Sequence, residues 1–135
     1  MHLIDSSVWI DYFSPRTQVP PLAELWDRVD SLIATGEAAV TGMVRLEVLG
    51  GARNERDYQQ LEQALRGLVA LPVTDVTWEQ AAAIAFRLRR RGLTVPFTDA
   101  LIASVALQAE AVLLHRDRHF DTIAAHFPLR VESHV

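Results

Sequence analysis

Four acidic residues are candidates for one shared site, because each follows a predicted strand, lies on an apolar helix face or heads an apolar helix. They are Asp5, Glu47, Asp99 and Asp117. Carboxylates brought together in apolar surroundings repel one another and lose hydration, so such a group needs a cation. Oxygen ligands in a chain without thiols favour Mg²⁺, with Mn²⁺ able to substitute. A bound ion of this kind can hold a phosphate oxygen, activate a water and stabilise a leaving oxygen, which phosphodiester hydrolysis requires.

Single acids of this set also have structural explanations. Asp5 precedes a predicted helix and could be its N-cap, and Asp99 could complement a helix dipole, because acids are enriched in first turns. Glu47 shares a helix face with Met43 and Val44 and therefore needs a polar partner. A structural role and membership of a shared site therefore both stay open for these residues. Only the second requires the four acids to lie close together.

Short apolar stretches alternate with helical patterns along the chain. The predicted strands are residues 2–4, 38–41, 71–73, 111–114 and 129–131, and the predicted helices are residues 6–13, 20–35, 43–49, 58–68, 77–91, 98–107 and 121–126. The helix at 20–35 is expected to open at Pro20 and Pro21, and Thr77 is the expected N-cap of the fifth helix. Pro72 lacks a backbone N–H and favours a sheet edge. The alternation predicts a three-layer α/β/α sandwich with a mostly parallel five-stranded sheet.

The predicted sheet also suggests where the acids meet. In an open parallel sheet the working crevice lies beyond the carboxyl ends of the strands, where the strand order reverses. Asp5 and Asp117 follow two of the predicted strands, and Asp99 heads the nearly all-apolar helix that leads to the second of them. Glu47 lies on the helix after residues 38–41. We therefore expect all four acids at that edge.

Length and composition limit the remaining possibilities. A chain of 135 residues with 50% hydrophobic content predicts one domain, spanning 1–135. There is no cysteine, no basic leader and no apolar run long enough for a bilayer, so we expect a cytoplasmic protein without membrane association. The formal charge of −4 argues against a non-specific nucleic-acid coat, unless the charge is concentrated in a cation site.

Four segments together resemble a PIN domain, most closely the VapC toxins of bacterial toxin-antitoxin pairs. The segments are Leu3-Ile4-Asp5-Ser6-Ser7, Leu46-Glu47-Val48-Leu49-Gly50-Gly51-Ala52-Arg53, Phe97-Thr98-Asp99-Ala100-Leu101-Ile102-Ala103 and Arg116-Asp117-Arg118-His119-Phe120. The resemblance covers nearly the whole chain in the right order. It implies sheet order 3-2-1-4-5, a Mg²⁺-dependent endoribonuclease, a homodimer and a small antitoxin partner. It also implies that Asp5, Glu47, Asp99 and Asp117 form the metal set, with Ser6 and Thr98 as neighbouring polar groups.

One residue departs from the family pattern. Many relatives carry a second acid two residues after the position of Asp117, where this chain has His119. That difference puts a second metal ion in doubt, and His119 could contact a substrate phosphate instead. Arg116 and Arg118 flank Asp117 and have the forked geometry that suits phosphates. The alternative is that one of these arginines pairs with a site acid.

Other classes fit the sequence less well. A receiver domain would need a lysine, and the chain has none; a haloacid-dehalogenase-type phosphatase would need an Asp where Ser7 stands. Two alternatives within the PIN fold remain: an RNA-processing nuclease that is not a toxin, and a binding module without catalysis.

Overall fold

The computed structural model describes residues 1–14 and 22–135. The strands in these ranges are β1 (His2–Ile4), β2 (Ala38–Thr41), β3 (Val69–Leu71), β4 (Val112–His115) and β5 (Val131–Ser133). The helices are α1 (Ser6–Tyr12), α2 (Ala23–Ala34), α3 (Gly42–Gly50), α4 (Glu55–Arg66), α5 (Asp75–Arg90), α6 (Phe97–Gln108) and α7 (Arg118–His126). The expected helix opening at Pro20 and Pro21 lies outside the described residues.

The five strands form one sheet in the order β3-β2-β1-β4-β5. Every pair of neighbouring strands is parallel. The chain adds β2 and β3 on one side of β1 and later adds β4 and β5 on the other, so the order reverses at β1. The predicted fold and strand order are confirmed.

Parallel strands need crossover helices, and right-handed crossovers place the helices of the two halves on opposite faces of the sheet. Helix α1 packs on α3 and α3 on α4, whereas α5, α6 and α7 pack on one another. Helix α6 is buried continuously from Asp99 to Ala106. The one hydroxyl in this buried stretch is that of Ser104, and it donates to the Ala100 carbonyl at 2.8 Å. This polar group is therefore paired although the helix is buried on all sides.

The two edge strands differ from the predicted ranges. Strand β3 ends at Leu71, before Pro72, and β5 begins at Val131, where the predicted strand ended. A proline after the last paired residue costs no ladder hydrogen bond, which explains why the strand stops there. The expectation that Pro72 marks the sheet edge is correct, although Pro72 itself lies just beyond the strand.

Three helix starts also need correction. Helix α4 begins at Glu55, three residues before the predicted start, because Asn54 caps it. Thr74, not Thr77, is the N-cap of α5. Thr77 is the third helical residue, and its hydroxyl accepts the backbone N–H of Thr74 at 3.0 Å, which gives a reciprocal capping pair. Helix α7 begins at Arg118, three residues before the predicted start, because Asp117 caps it.

No helix in the described ranges has both the length and the apolar character to cross a membrane.

Candidate functional site

The site lies at the carboxyl ends of the two central strands, where the strand order reverses. Asp5 directly follows β1, and its backbone N–H donates to the carbonyl of Leu114 in β4 at 3.0 Å. Asp117 lies two residues beyond the end of β4, and Asp99 lies in the first turn of α6. Glu47 is on α3, which packs against both α1 and α6. The ends of β1 and β4, together with helices α3 and α6, thus bring the four acids to one crevice.

Asp5 uses its two carboxylate oxygens differently. Oδ2 accepts the backbone N–H of Ser7 at 3.0 Å and caps α1. Oδ1 is buried and has no hydrogen-bond partner among the described residues, and the whole residue is only 3% exposed. Burial raises the pKa of Asp5 and the charge of Asp117 adds to that rise, while hydrogen bonds from Ser7 and Ser6 oppose it. A buried carboxylate oxygen without a donor is what a cation would neutralise.

Glu47 has the polar partner that its position on an apolar face required. The hydroxyl of buried Ser6 donates to Glu47 Oε1 at 3.1 Å. Burial raises the pKa of Glu47, the hydrogen bond from Ser6 opposes the rise, and the charges of Asp5 and Asp117 add to it. Ser6 therefore fixes the orientation of one member of the acidic set.

Asp99, Asp117 and His119 form the most compact part of the site. Nδ1 of His119 lies 3.0 Å from Asp117 Oδ1 and 3.1 Å from Asp99 Oδ2. Asp117 Oδ1 also accepts the backbone N–H of His119 at 2.9 Å and so caps α7. Burial, followed by the charges of Asp117 and Asp5, raises the pKa of Asp99 to about 7, although His119 partly offsets this effect.

These residues fit a divalent cation. One ligand atom each from Asp99, Asp117 and His119 lies within 4.8 Å of the other two. Asp5 belongs to the same electrostatic group. In addition to burial, the charge of Asp5 raises the pKa values of Glu47 and Asp99, and the charge of Asp117 raises those of Asp5, Glu47 and Asp99. The donors are oxygens and one imidazole nitrogen, which suit a hard or borderline divalent ion.

The remaining predicted site residues surround this group. Thr98 is half-buried beside Asp99, and Arg118 is exposed at the start of α7. Arg116 forms an ion pair with Asp11 of α1, and its Nε lies 3.4 Å from the His134 carbonyl. The arginine partner is therefore Asp11, not one of the four acids.

His115, at the end of β4, is a site residue that sequence reasoning did not single out. Its ring is fully buried, and Nδ1 accepts the backbone N–H of Asp117 at 3.1 Å. Nε2 lies 3.1 Å from Asp121 Oδ1, and Asp121 in turn accepts the hydroxyl of Ser133 at 3.0 Å. A polar residue that ends a strand buried on both faces must have partners, and that signal could have identified His115.

A groove between α1, α3 and α4 opens beside Glu47. It has a volume of about 490 Å³ and an apolar lining that includes Trp9, Ile10, Val48 and Leu61. Because Glu47 itself lines the groove, an occupant would lie next to the acidic site.

A model of the PIN domain family matches residues 2–126. The chain belongs to the PIN domain family. Among curated proteins, this PIN domain is 36% identical over 129 residues to Ribonuclease VapC11 of Mycobacterium tuberculosis strain H37Rv, covering 92% of each chain. Ribonuclease VapC51 of the same strain is 35% identical, with 92% of this chain and 85% of the relative covered.

Solved structures of the same fold are also similar to this PIN domain. VapBC2 from Rickettsia felis, bound to a DNA fragment from its promoter, gives a TM-score of 0.80 at 18% identity, covering 98% of this chain and 97% of that one. Mycobacterium tuberculosis VapC20, described as a sarcin-ricin loop cleaving toxin, gives 0.67 at 17% identity, covering 94% and 96%. At these identities the structures establish the shared fold.

Proposed function

We propose that this PIN domain is a divalent-cation-dependent endoribonuclease that acts as the toxin of a toxin-antitoxin pair. The observation that carries the proposal is the meeting of Asp5, Glu47, Asp99 and Asp117 at one sheet edge, with a buried carboxylate oxygen left unpartnered. The curated relatives that cover almost the whole chain are named as VapC ribonucleases, which supports RNA as the substrate.

The cation is Mg²⁺ or Mn²⁺. A divalent ion bound here would supply an activated water and would stabilise charge on the phosphate oxygens. Asp5, Glu47, Asp99 and Asp117 would hold it. Ser6 orients Glu47 through its hydroxyl, while the helix caps fix Asp5 and Asp117.

Substrate contacts come from residues around the acidic set. Exposed Arg118 is placed for a phosphate, and Thr98, Arg116 and His119 flank the same crevice. The formal charge of −4 becomes 0 when the four site acids are left out, so the rest of the surface is neutral. Recognition of RNA then depends on the crevice, and single-stranded or loop RNA can enter it without a duplex-sized basic surface.

The first prediction is cleavage of RNA in Mg²⁺ or Mn²⁺ and its loss in EDTA. Asp5→Asn and Asp117→Asn should each lower the cleavage rate at least about a hundredfold, because each removes a charged ligand while keeping the side-chain shape. Asp27→Asn, on the exposed side of α2, is the matched control and should cleave at the wild-type rate. Cleavage that persists in EDTA, or in both site variants, would rule the proposal out.

The antitoxin partner is proposed to occupy the groove between α1, α3 and α4. That groove combines an apolar lining with direct access to Glu47, so a segment bound there could block the acidic site. Expression should arrest growth, and the product of a neighbouring small reading frame should relieve it. Harmless expression of an RNA-cleaving protein would instead favour a processing nuclease, and harmless expression without cleavage would favour a binding module.

We also propose a homodimer, one domain over residues 1–135 and a cytoplasmic location. The face formed by α5 and α6 exposes Trp78, Phe86 and Phe97 by 58%, 64% and 76%. A groove of about 420 Å³ on that face includes Ala81, Ala82 and Ala85, so the same surface offers both ridges and a hollow for a second copy. Strands from both ends of the chain share one sheet, which supports a single domain. RNA, the proposed substrate, is abundant in the cytoplasm, which supports that location.

A further inference from the structure

We propose that His119 is a ligand of the cation, and that this nitrogen makes the site favour divalent transition-metal ions such as Mn²⁺ over Mg²⁺. The inference rests on the cation site of the proposed function. It concerns the imidazole that lies between the carboxylates of Asp99 and Asp117.

The position of the ring carries the first step. Nδ1 of His119 lies 3.1 Å from Asp99 Oδ2 and 3.0 Å from Asp117 Oδ1, so it faces carboxylates from two different helices. Neighbouring ligands of an octahedral ion bound at about 2.1 Å are about 3.0 Å apart. Both distances match the spacing of adjacent ligands of one ion, and one ligand atom from each of the three residues lies within 4.8 Å of the other two.

A second observation points to an ion at this place. Asp5 is 3% exposed, and its Oδ1 has no hydrogen-bond partner in the described part of the chain. Asp5 interacts electrostatically with both Asp99 and Asp117. One ligand atom each from Asp99, Asp117 and His119 lies within 4.8 Å of the other two, and Asp5 lies outside this group. A divalent cation held by the group would offset the electrostatic cost of the nearby buried Asp5 charge.

His119 is held in place from its own backbone. Its N–H donates to Asp117 Oδ1 at 2.9 Å, which ties the residue to the cap of α7. The side chain is 46% exposed, so the ring can shift toward an ion without disturbing the core. The backbone of His119 is therefore fixed, while its imidazole nitrogen can adjust to an ion.

Ligand chemistry then sets the preference. Mg²⁺ is a hard ion that takes oxygen ligands, whereas imidazole suits first-row transition metals. Replacing an acid by His119 removes one negative charge and adds a nitrogen donor. The lost charge weakens the site for both ions, whereas the nitrogen donor favours Mn²⁺, a first-row transition metal, over Mg²⁺.

Electron spin echo spectroscopy of the Mn²⁺-loaded protein tests the ligand directly. We expect modulation from ¹⁴N in the wild type, and its replacement by a ¹⁵N pattern after labelling the histidines, a measurement that needs no variant. Modulation should disappear in His119→Asp and persist in His126→Asp, the same substitution at the exposed end of the same helix. Mn²⁺ that binds without nitrogen modulation in the wild type overturns the inference.

Calorimetric titration of metal-free protein measures the preference. We expect the ratio of the Mg²⁺ to the Mn²⁺ dissociation constant to fall at least about tenfold in His119→Asp, a change at the low end of what ligand-shell substitutions produce. An unchanged ratio, or equal tightening of both ions, would mean that His119 only bridges the carboxylates as a hydrogen-bond donor, and overturns the inference. RNA cleavage in Mg²⁺ without nitrogen coupling would leave the proposed nuclease intact, while nitrogen coupling without any cleavage would refute the nuclease alone.

Discussion

Asp99 is subject to two opposing electrostatic influences. It lies in the first turn of α6, where the helix dipole favours a negative charge. It is also 7% exposed and close to Asp117 and Asp5, and these surroundings raise its pKa to about 7. The second influence is larger, because a dipole interaction of about 0.3 to 1 kcal/mol corresponds to less than one pKa unit, whereas these surroundings raise the pKa of Asp99 from 3.8 to about 7. In the metal-free protein the charge on Asp99 therefore costs stability.

Asp99→Asn should accordingly stabilise the metal-free protein. We expect its free energy of unfolding at pH 8 in EDTA to rise by about 1 to 3 kcal/mol, since the pKa rise of three units sets an upper limit of about 4 kcal/mol. Added Mn²⁺ should stabilise the wild type more than the variant, which has lost a ligand. Urea unfolding with and without Mn²⁺ measures both effects.

The control for Asp99→Asn is Asp75→Asn. Asp75 also lies in the first turn of its helix, α5, but it is exposed and outside the acidic group. Its substitution should remove only the dipole interaction and destabilise the protein by about 0.3 to 1 kcal/mol. If Asp99→Asn were destabilising by the same amount and left the Mn²⁺ effect unchanged, the shared site would be wrong.

The raised pKa of Asp99 also predicts how metal-free stability depends on pH. The folded-state pKa, about 7, exceeds the ordinary value of 3.8, so the folded protein binds a proton that the unfolded chain has released. The contribution of Asp99 to the free energy of unfolding should therefore be largest below pH 3.8 and fall as pH rises through about 7. Asp5 and Glu47, whose pKa values are also raised, act in the same direction.

Unfolding in EDTA at pH 5 and pH 8 measures this dependence. Asp99→Asn should make the fall smaller, because its largest contributor is gone. Saturating Mn²⁺ should reverse the trend, since the ion binds the deprotonated carboxylates. The lowered pKa values of His2 and His115 act in the opposite direction in both proteins, so the wild type and Asp99→Asn must be compared. An equal change between the two pH values in both proteins would contradict the raised pKa of Asp99.

At the scale of elements, the site is built from helix starts. Asp5 caps α1, Asp117 caps α7 and Asp99 lies in the first turn of α6. The sequence presented capping and site membership as alternatives, but Asp5 combines both, because one carboxylate oxygen caps while the other lies in the site. Residue spacing cannot reveal this division, since it depends on which oxygen faces the backbone.

Asp5 variants separate the two roles in α1. Asn caps helices about as well as Asp, so Asp5→Asn should abolish RNA cleavage without lowering the thermal stability of the metal-free protein. Asp5→Ala should abolish cleavage and also lose about 0.5 to 2 kcal/mol, because the N–H of Ser7 loses its acceptor. Thermal unfolding in EDTA compares the two. Equal stability of both variants would mean that the cap contributes nothing.

Prediction of the elements from sequence was accurate in the middle of the sheet and less so at its edges. Residues 2–4 and 38–41 match β1 and β2, which are almost fully buried. The edge strands β3 and β5 lie two residues away from their predicted ranges. Their residues are exposed or half-buried, so hydrophobicity does not mark them, and backbone pairing with β2 and β4 determines where they run.

The site shows the same limit. Its acids could be found because charge within apolar sequence is unusual, and the parallel sheet explained why they meet. The contacts that support these acids could not be predicted from sequence. His115, Asp121 and Ser133 come together only through the pairing of β4 with β5 and the packing of α7. Likewise, the ion pair of Arg116 with Asp11 joins residues 105 positions apart.

At the scale of the whole molecule, two apolar surfaces lie on opposite layers of the sandwich. One is the groove between α1, α3 and α4, at whose rim Ile10 is 54% exposed. The other is the α5–α6 face with exposed Phe86. Opposite layers can be occupied at the same time, so the antitoxin and a second copy of the chain need not compete.

This arrangement predicts that two matched substitutions each disrupt one interaction and leave the other intact. Phe86→Glu places a charge on the α5–α6 face and should convert the dimer to a monomer that still binds the antitoxin. Ile10→Glu places the same charge beside the other groove and should leave the dimer intact while weakening antitoxin binding at least about tenfold, since buried unpaired charge is costly. Light scattering coupled to size exclusion measures the first property and co-purification with the tagged antitoxin measures the second. A dimer that survives Phe86→Glu, or is lost in Ile10→Glu, would show that the two surfaces have been assigned to the wrong partners.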